Sequence, residues 1–279
     1  MKLGYTVWTW MSDEFNDWAP MSSNQKRDFE QALREVSDLG FQTIENFNFI
    51  ADLYQDDTDG FNALLKKYGL EFANLYFYYS EDWDKDFEEA KKYISFMDKV
   101  GAKYMNVQGL MLKDEPYNRP TDKEKIIEYA KISNKLGALC KEHGIKVCLH
   151  PHANTPIFTE EQIDIFLANS DPELVSLCLD TAHTTLAGMD TPKAFDKFAD
   201  RIGYVHLKDL CPDVTVHPEW PMKRFRPLGQ GTVDLRGVYQ VLKKHGYDGI
   251  LCVEIDYQPV CGYKTAMQCR QYIHDVFGL

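Results

Sequence analysis

HGIKVCLH (His143–His150) reads in two halves. Gly144 closes a helix-like stretch, Lys123–His143, whose apolar residues recur at three- and four-residue steps. Lys146–His150 is then a short strand-like run that ends on an imidazole. The same punctuation, a glycine after a helix and before a strand, returns in LGF (Leu39–Phe41), YGL (Tyr68–Leu70), VGA (Val100–Ala102) and HGY (His245–Tyr247).

Worked outward from there, the chain offers strands at Leu3–Trp8, Thr43–Phe47, Phe72–Tyr78, Tyr104–Gln108, Lys146–His150, Val175–Asp180, Tyr204–Leu207 and Ile250–Glu254. Helical periodicity lies between and after them, at Gln25–Leu39, Asn62–Tyr68, Phe87–Val100, Lys123–His143, Glu161–Leu167, Pro192–Phe198, Leu235–His245 and Lys264–Val276. Thr121-Asp122 and Thr191-Pro192 read as helix starts with a hydroxyl cap, the second with proline in the opening turn. Eight strands, each followed by a helix, in about 250 residues predict an α/β fold, the (β/α)8 TIM barrel, as a single domain over residues 1–279. An open doubly wound sheet is the alternative, but it usually needs fewer strands and no GxGxxG follows the first one.

The strand ends carry the chemistry. VCLH (Val147–His150), LCLD (Leu177–Asp180) and LCVE (Leu251–Glu254) each place a cysteine two residues before a group able to hold a metal or move a proton. Residues i and i+2 of a strand share a side. If His150, Asp180 and Glu254 face the barrel mouth, Cys148, Cys178 and Cys252 form an interior packing layer below it. YVHL (Tyr204–Leu207) fits the same frame, with Tyr204 in the layer and His206 at the mouth. His150 to Asp180 is 30 residues and Asp180 to His206 is 26, each about one βα unit. His206 to Glu254 is 48, which leaves a long insertion near Asp209–Val233 on the face where barrel enzymes keep their sites. One Asp or His at a strand end is commonly a cap or a loop contact. Four consecutive strands ending in phase on His, Asp, His and Glu predict a metal centre, because such groups are costly to cluster without a cation. The expected cofactor is one divalent ion, Mn²⁺ first, with Co²⁺, Fe²⁺, Zn²⁺ or Mg²⁺ as alternatives.

Bulk properties narrow the partners. The 279 residues are 44% hydrophobic and 27% charged, with net charge −12, which disfavours nucleic acid and anionic membranes. No apolar run approaches the ~20 residues of a membrane span. MKLGYTVWTW lacks the apolar stretch and cleavage site of a signal peptide, so a cytoplasmic location is expected. Seven cysteines without a CxxC pair fit reduced thiols better than a disulfide framework.

CLDTAH (Cys178–His183), YVHLKD (Tyr204–Asp209), RPLGQGTVD (Arg226–Asp234) and YDGILCVEID (Tyr247–Asp256) resemble the sugar phosphate isomerase/epimerase superfamily, the xylose-isomerase-like barrels. LHPHANT (Leu149–Thr155) is closest in motif to inosose dehydratases, enzymes of inositol breakdown within that superfamily. The resemblance spans nearly the whole chain and implies metal ligands at His150, Asp180, His206 and Glu254. His150 departs from the commoner glutamate, which pairs with the last glutamate as acid and base in the epimerases; it is expected as ligand or as base. His152 and Glu254 complete the catalytic candidates, and Glu45, His183, Lys208, Arg224 and Arg226 are substrate-binding candidates, with a structural role as the alternative for Glu45 and His183 and a solvated basic face as the alternative for Arg224 and Arg226.

The expected activity is that of a divalent-metal-dependent lyase on a keto-polyol or keto-sugar, of the inosose dehydratase or 3-keto-glycoside lyase type. The metal would stabilise an enediolate, a base would remove the proton beside the ketone, and an imidazolium at His152 or His150 would protonate a leaving oxygen near neutral pH. A ketose or inosose epimerase or isomerase is the alternative, and a non-catalytic sugar-binding protein a further one. An apurinic-site endonuclease shares the barrel but needs a basic DNA face. A small-molecule sugar or polyol is the expected partner, and a homo-oligomer or a small partner subunit is compatible with the sequence. Aromatic residues make up 13% of the chain; core and helix packing is the expectation for most of them, and Trp8, Trp10, Phe47 and Tyr76 are the first candidates for a stacking wall at the mouth.

Overall fold

The computed structural model describes residues 1–12, 21–111, 120–216, 221–256 and 260–279. Eight parallel strands close into a ring: β1 (Lys2–Thr6), β2 (Thr43–Phe47), β3 (Glu71–Tyr78), β4 (Tyr104–Gln108), β5 (Lys146–Leu149), β6 (Val175–Asp180), β7 (Ile202–Leu207) and β10 (Ile250–Val253), which pairs back onto β1. This is the expected TIM barrel. Two short strands, β8 (Asp209–Leu210) and β9 (Phe225–Arg226), form an antiparallel pair within the insertion after β7, where residues 217–220 lie outside those described.

Helices α1 (Gln25–Asp38), α2 (Phe49–Tyr54), α3 (Thr58–Tyr68), α4 (Trp83–Val100), α5 (Lys123–Lys141), α6 (Glu160–Asn169), α7 (Thr181–Leu186), α8 (Thr191–Lys197), α9 (Leu235–Lys244) and α10 (Gly262–Phe277) connect the strands. In α1 the residues buried against the barrel include Phe29, Ala32, Leu33 and Val36, the i, i+3, i+4, i+7 stripe that periodicity predicts. Burial of a side chain such as Phe29 or Leu33 contributes roughly 1.5–3 kcal/mol. Gly144 turns the chain from α5 into β5 at φ 67°, a left-handed conformation that side chains resist. None of the helices among the described residues is long and apolar enough to cross a membrane.

Two local expectations are corrected. The first strand ends at Thr6. Val7 makes the last bond to the neighbouring strand, donating its N–H to the Glu45 carbonyl (3.0 Å), and Trp8–Met11 then form a 3₁₀ turn. Trp10 accordingly packs into the core, edge-on to Tyr5 and donating to Glu35 (2.7 Å), away from the mouth. The caps of α5 and α8 are also carboxylates instead of the threonine hydroxyls. Asp122 accepts from Lys125 N (3.0 Å) and Asp190 from Lys193 N (3.3 Å), with the added attraction of a negative charge for a helix N-terminus. Thr121 bonds Glu161 and Thr191 bonds Thr185.

Between the ring of strands and the helices lies the main apolar core. Inside the ring is a second cluster of Ala73, Cys148, Cys178, Tyr204, Ile250 and Cys252. The three cysteines are thus one interior layer, fully buried as the strand phase predicts. Burial pushes all three thiols up, Cys178 to about 12.

Candidate active site

The layer above the cysteines is polar. His206, on β7, is fully buried, with Nε2 3.0 Å from Glu45 Oε2 and Nδ1 3.1 Å from Glu254 Oε2. Glu45 also accepts from Thr6 Oγ1 (2.9 Å), from Asn74 Nδ2 and from Asn106 Nδ2 (3.2 Å). Only the contact to Glu45 has hydrogen-bond geometry, so in a neutral ring Nε2 carries the proton toward Glu45, and Nδ1, near Glu254 without that geometry, faces the cluster. Burial works against a charged His206, but Cys178, Glu45 and Glu254 together outweigh it and raise its affinity for a second proton well above that of free imidazole.

His150 follows β5. Its Nδ1 lies 3.1 Å from the Cys178 carbonyl, which can only accept, so Nε2 keeps a lone pair. Asp180 ends β6 and caps α7, its Oδ1 accepting from Ala182 N and His183 N (both 2.7 Å). Its Oδ2 has no hydrogen-bond partner among the described residues, nor has His206 Nδ1 or Glu254 Oε2. His150, Asp180, His206 and Glu254 each offer a ligand atom, all within 4.8 Å of one another. Three buried polar atoms left without hydrogen bonds in a set of two imidazoles and two carboxylates fit a divalent ion.

Lys208 complicates the charge balance. It is 1% exposed, with Nζ 2.8 Å from Glu254 Oε2, 2.7 Å from Asp256 Oδ2 and 3.7 Å from Asp180 Oδ2. The contact to Glu254 is close enough for an ion pair but lacks hydrogen-bond direction, and Asp256 takes the directed bond. Burial opposes ionisation of Glu254, yet Lys208 and His206 hold its carboxyl well below the usual range. Asp256 goes the other way: burial raises it to about 7 despite Lys208.

The histidines near the rim correct one expectation. Burial, helped by neighbouring cations, pushes His150 well below the ordinary imidazole value and His152 to about 4. Both are neutral near pH 7, so neither is a ready-made imidazolium acid there. His152 Nδ1 lies 2.7 Å from the Ala153 carbonyl, which fixes Nε2 as its basic nitrogen. His183 lies against His152 with ring centres 4.0 Å apart and planes tilted by 40°, and accepts from Ala153 N (3.3 Å).

The other candidates separate. Glu45 is wholly buried behind His206 and does not reach the mouth. Arg226 places Nη1 on the Lys223 and Phe225 carbonyls (2.7 and 2.8 Å), bracing its own loop. Arg224 is buried beside it, 8% exposed. Asp209 anchors the same loop, accepting from Gly229 N, Gly231 N and Val233 N at 2.9–3.0 Å. A Cβ on Gly231 would lie 2.3 Å from Asp209 Oδ1, which explains the glycine in GQG. Sequence reasoning passed over Asn74, Asn106, Gln108 and Asp256. The i, i+2 rule applied to Asn106 and Gln108, or to Glu254 and Asp256, was the signal that would have found them.

A cavity of about 310 Å³ opens above Glu254, His152 and Asp256, walled by Trp8, Phe47 and Tyr76. A larger one, about 550 Å³, lies among Lys2, Glu71, Lys103 and Asp248 at the N-terminal end of the strands, remote from these groups.

Residues 33–272 match the family described as the xylose isomerase-like TIM barrel. The chain is 28% identical to the inosose dehydratase of Geobacillus thermodenitrificans, across 100% of this chain and 98% of that protein. Its fold is similar to the solved structure of the IolI protein with a bound zinc atom, with TM-score 0.78 and 19% identity over 99% of this chain and 98% of that one. It is likewise similar to the probable 3-DHS dehydratase AsbF from Bacillus anthracis, with TM-score 0.77 and 18% identity over 98% of each chain.

Proposed function

The chain belongs to the xylose isomerase-like TIM barrel family, and from that premise we propose that it is a divalent-metal-dependent carbon–oxygen lyase acting on a keto-polyol of the inosose type. The observation that carries this reading is the character of the two groups flanking the cavity: ionised Glu254 at one strand end and neutral His152 beyond another. An epimerase must return a proton to the opposite face of the same carbon, and a symmetrical pair of carboxylates suits that task. Here the strand-five side offers imidazoles. The inosose dehydratases among the relatives support the same choice.

His150, Asp180, His206 and Glu254 would hold the ion, with Mn²⁺ our expectation. When bound it would supply Lewis-acid polarisation of the substrate carbonyl. The remaining work falls to side chains. Glu45 fixes His206 in the ring flip that turns Nδ1 toward the cluster. Lys208 keeps Glu254 ionised. His152, neutral and with Nε2 free to accept, takes the proton from the carbon next to the ketone, and that C–H pair becomes the new C=C bond. The C–O bond at the following carbon breaks with its electrons on oxygen, and the imidazolium just formed returns its proton to that oxygen. Substrate becomes an unsaturated ketone plus water or an alcohol. General-base help of this kind contributes ~10²–10⁴-fold.

The test is NMR of products in D₂O from a panel of inososes, ketoses and 3-keto-glycosides. An unsaturated ketone supports elimination. A deuterated epimer with no unsaturated product across the panel moves the enzyme to epimerisation.

A further inference from the structure

Lys208 faces the two carboxylates of the cluster and a third one outside it. Its Nζ lies 2.8 Å from Glu254 Oε2 and 3.7 Å from Asp180 Oδ2, two oxygens that make no hydrogen bond among the described residues. It also lies 2.7 Å from Asp256 Oδ2, and this contact alone of the three has hydrogen-bond geometry.

The head group is held in place. Lys208 N donates to Thr181 Oγ1 (2.9 Å), and that hydroxyl donates to the Lys208 carbonyl (2.6 Å), so the backbone is clamped to the start of α7. Phe225 covers the ammonium, with Nζ 4.7 Å from its ring centre. Glu254 and Asp256 line the cavity and Lys208 does not, so its direct contacts are with the carboxylates.

Two cations would therefore draw on one set of oxygens. A divalent ion held by His150, Asp180, His206 and Glu254 needs Asp180 and Glu254 as its anionic ligands. Those are the oxygens that the ammonium faces. Like charges a few ångströms apart repel, and buried charges are screened little by water and salt. A lysine that served to assemble the ligands would direct its bonds to their carboxylates. Here the directed bond goes to Asp256, which is not one of the four. The lysine thus has an anchor of its own, outside the ligand set.

We propose that Lys208 is a built-in competitor for the metal centre and that Asp256 is the carboxylate that draws it off, so that this pair sets how tightly the centre binds a divalent cation. The inference rests on the reading of His150, Asp180, His206 and Glu254 as ligands. It adds two residues that act on the centre through charge, without ligating the ion.

Isothermal titration with Mn²⁺ separates a competitor from a support, because the two roles give opposite signs. Lys208→Met keeps most of the side chain's length and removes its charge, and it should bind Mn²⁺ at least about tenfold more tightly than the parent. Lys208→Gln should shift the affinity the same way, and it decides the sign if thermal melts show that Lys208→Met does not fold. Asp256→Asn should bind Mn²⁺ about 3–10-fold more weakly than the parent. Once Lys208 is replaced, the same change should cost less than about twofold, because Asp256 acts through the lysine. Lys208 variants that bind Mn²⁺ as the parent does, or more weakly, would overturn the competitor. An equal loss from Asp256→Asn in both backgrounds would overturn the role given to Asp256. Failure of the parent and the variants alike to bind Mn²⁺, Co²⁺ or Zn²⁺ would remove the metal centre itself, and this inference with it.

Discussion

His206 Nε2 and Glu45 Oε2 are 3.0 Å apart, both residues fully buried, although 161 positions separate them in the chain. The bond turns Nδ1 of His206 toward Glu254 and makes the tautomer a property of the fold. Groups behind a metal-binding histidine in this way typically govern 10–100-fold in affinity. Glu45→Gln should therefore bind Mn²⁺ about 10–100-fold more weakly, read by isothermal titration. Unchanged affinity in a folded variant would show that Glu45 is packing only.

Purified protein should carry about one divalent transition ion per chain if the proposed centre is correct, since four ligand atoms lie within 4.8 Å of one another and three of them make no hydrogen bond among the described residues. A chelator should abolish turnover, and adding the ion back should restore it and raise the melting temperature, since binding to the folded state alone is stabilising. Asp180→Asn should lose the ion and the activity together. Elemental analysis finding no metal, with full activity in EDTA, rules the centre out.

Because burial pushes His152 to about 4, this proposed base is unprotonated at neutral pH, and a bound dication would move it further the same way. The acid limb of kcat/KM should accordingly show no histidine step near pH 6.5. Stability follows with its own sign. An imidazole lowered in the folded state binds its proton better when unfolded, so its contribution is complete above about pH 6.5 and is lost as pH falls toward 4. His152→Ala should slow release of the leaving group by about 10²–10⁴-fold with little change in melting temperature. A bell-shaped profile with a limb near 6.5 that vanishes in His152→Ala would contradict the assignment.

Cys148, Cys178 and Cys252 should react slowly with thiol reagents in the native state, because each is fully buried and its thiol is pushed up. Replacing any of them with alanine should cost stability, roughly 1–2 kcal/mol, before it costs activity. Fast modification that stops turnover without unfolding would mean that a cysteine takes part in the site.

The barrel and half of its centre were legible in the residues themselves. Strand and helix periods are local, so alternating runs punctuated by glycines such as Gly144 specify eight βα units, and an i, i+2 phase specifies that Cys178 lies beneath Asp180. What the sequence left open depends on distances between strands. That Glu45 of β2 backs His206 of β7, that Lys208 shares the carboxylates with any metal, and that His152 is neutral are set by ring closure and depth of burial. A proton's affinity depends on the dielectric and the charges within a few ångströms, and those arrive from β1 to β10 at once, so only the closed barrel decides them.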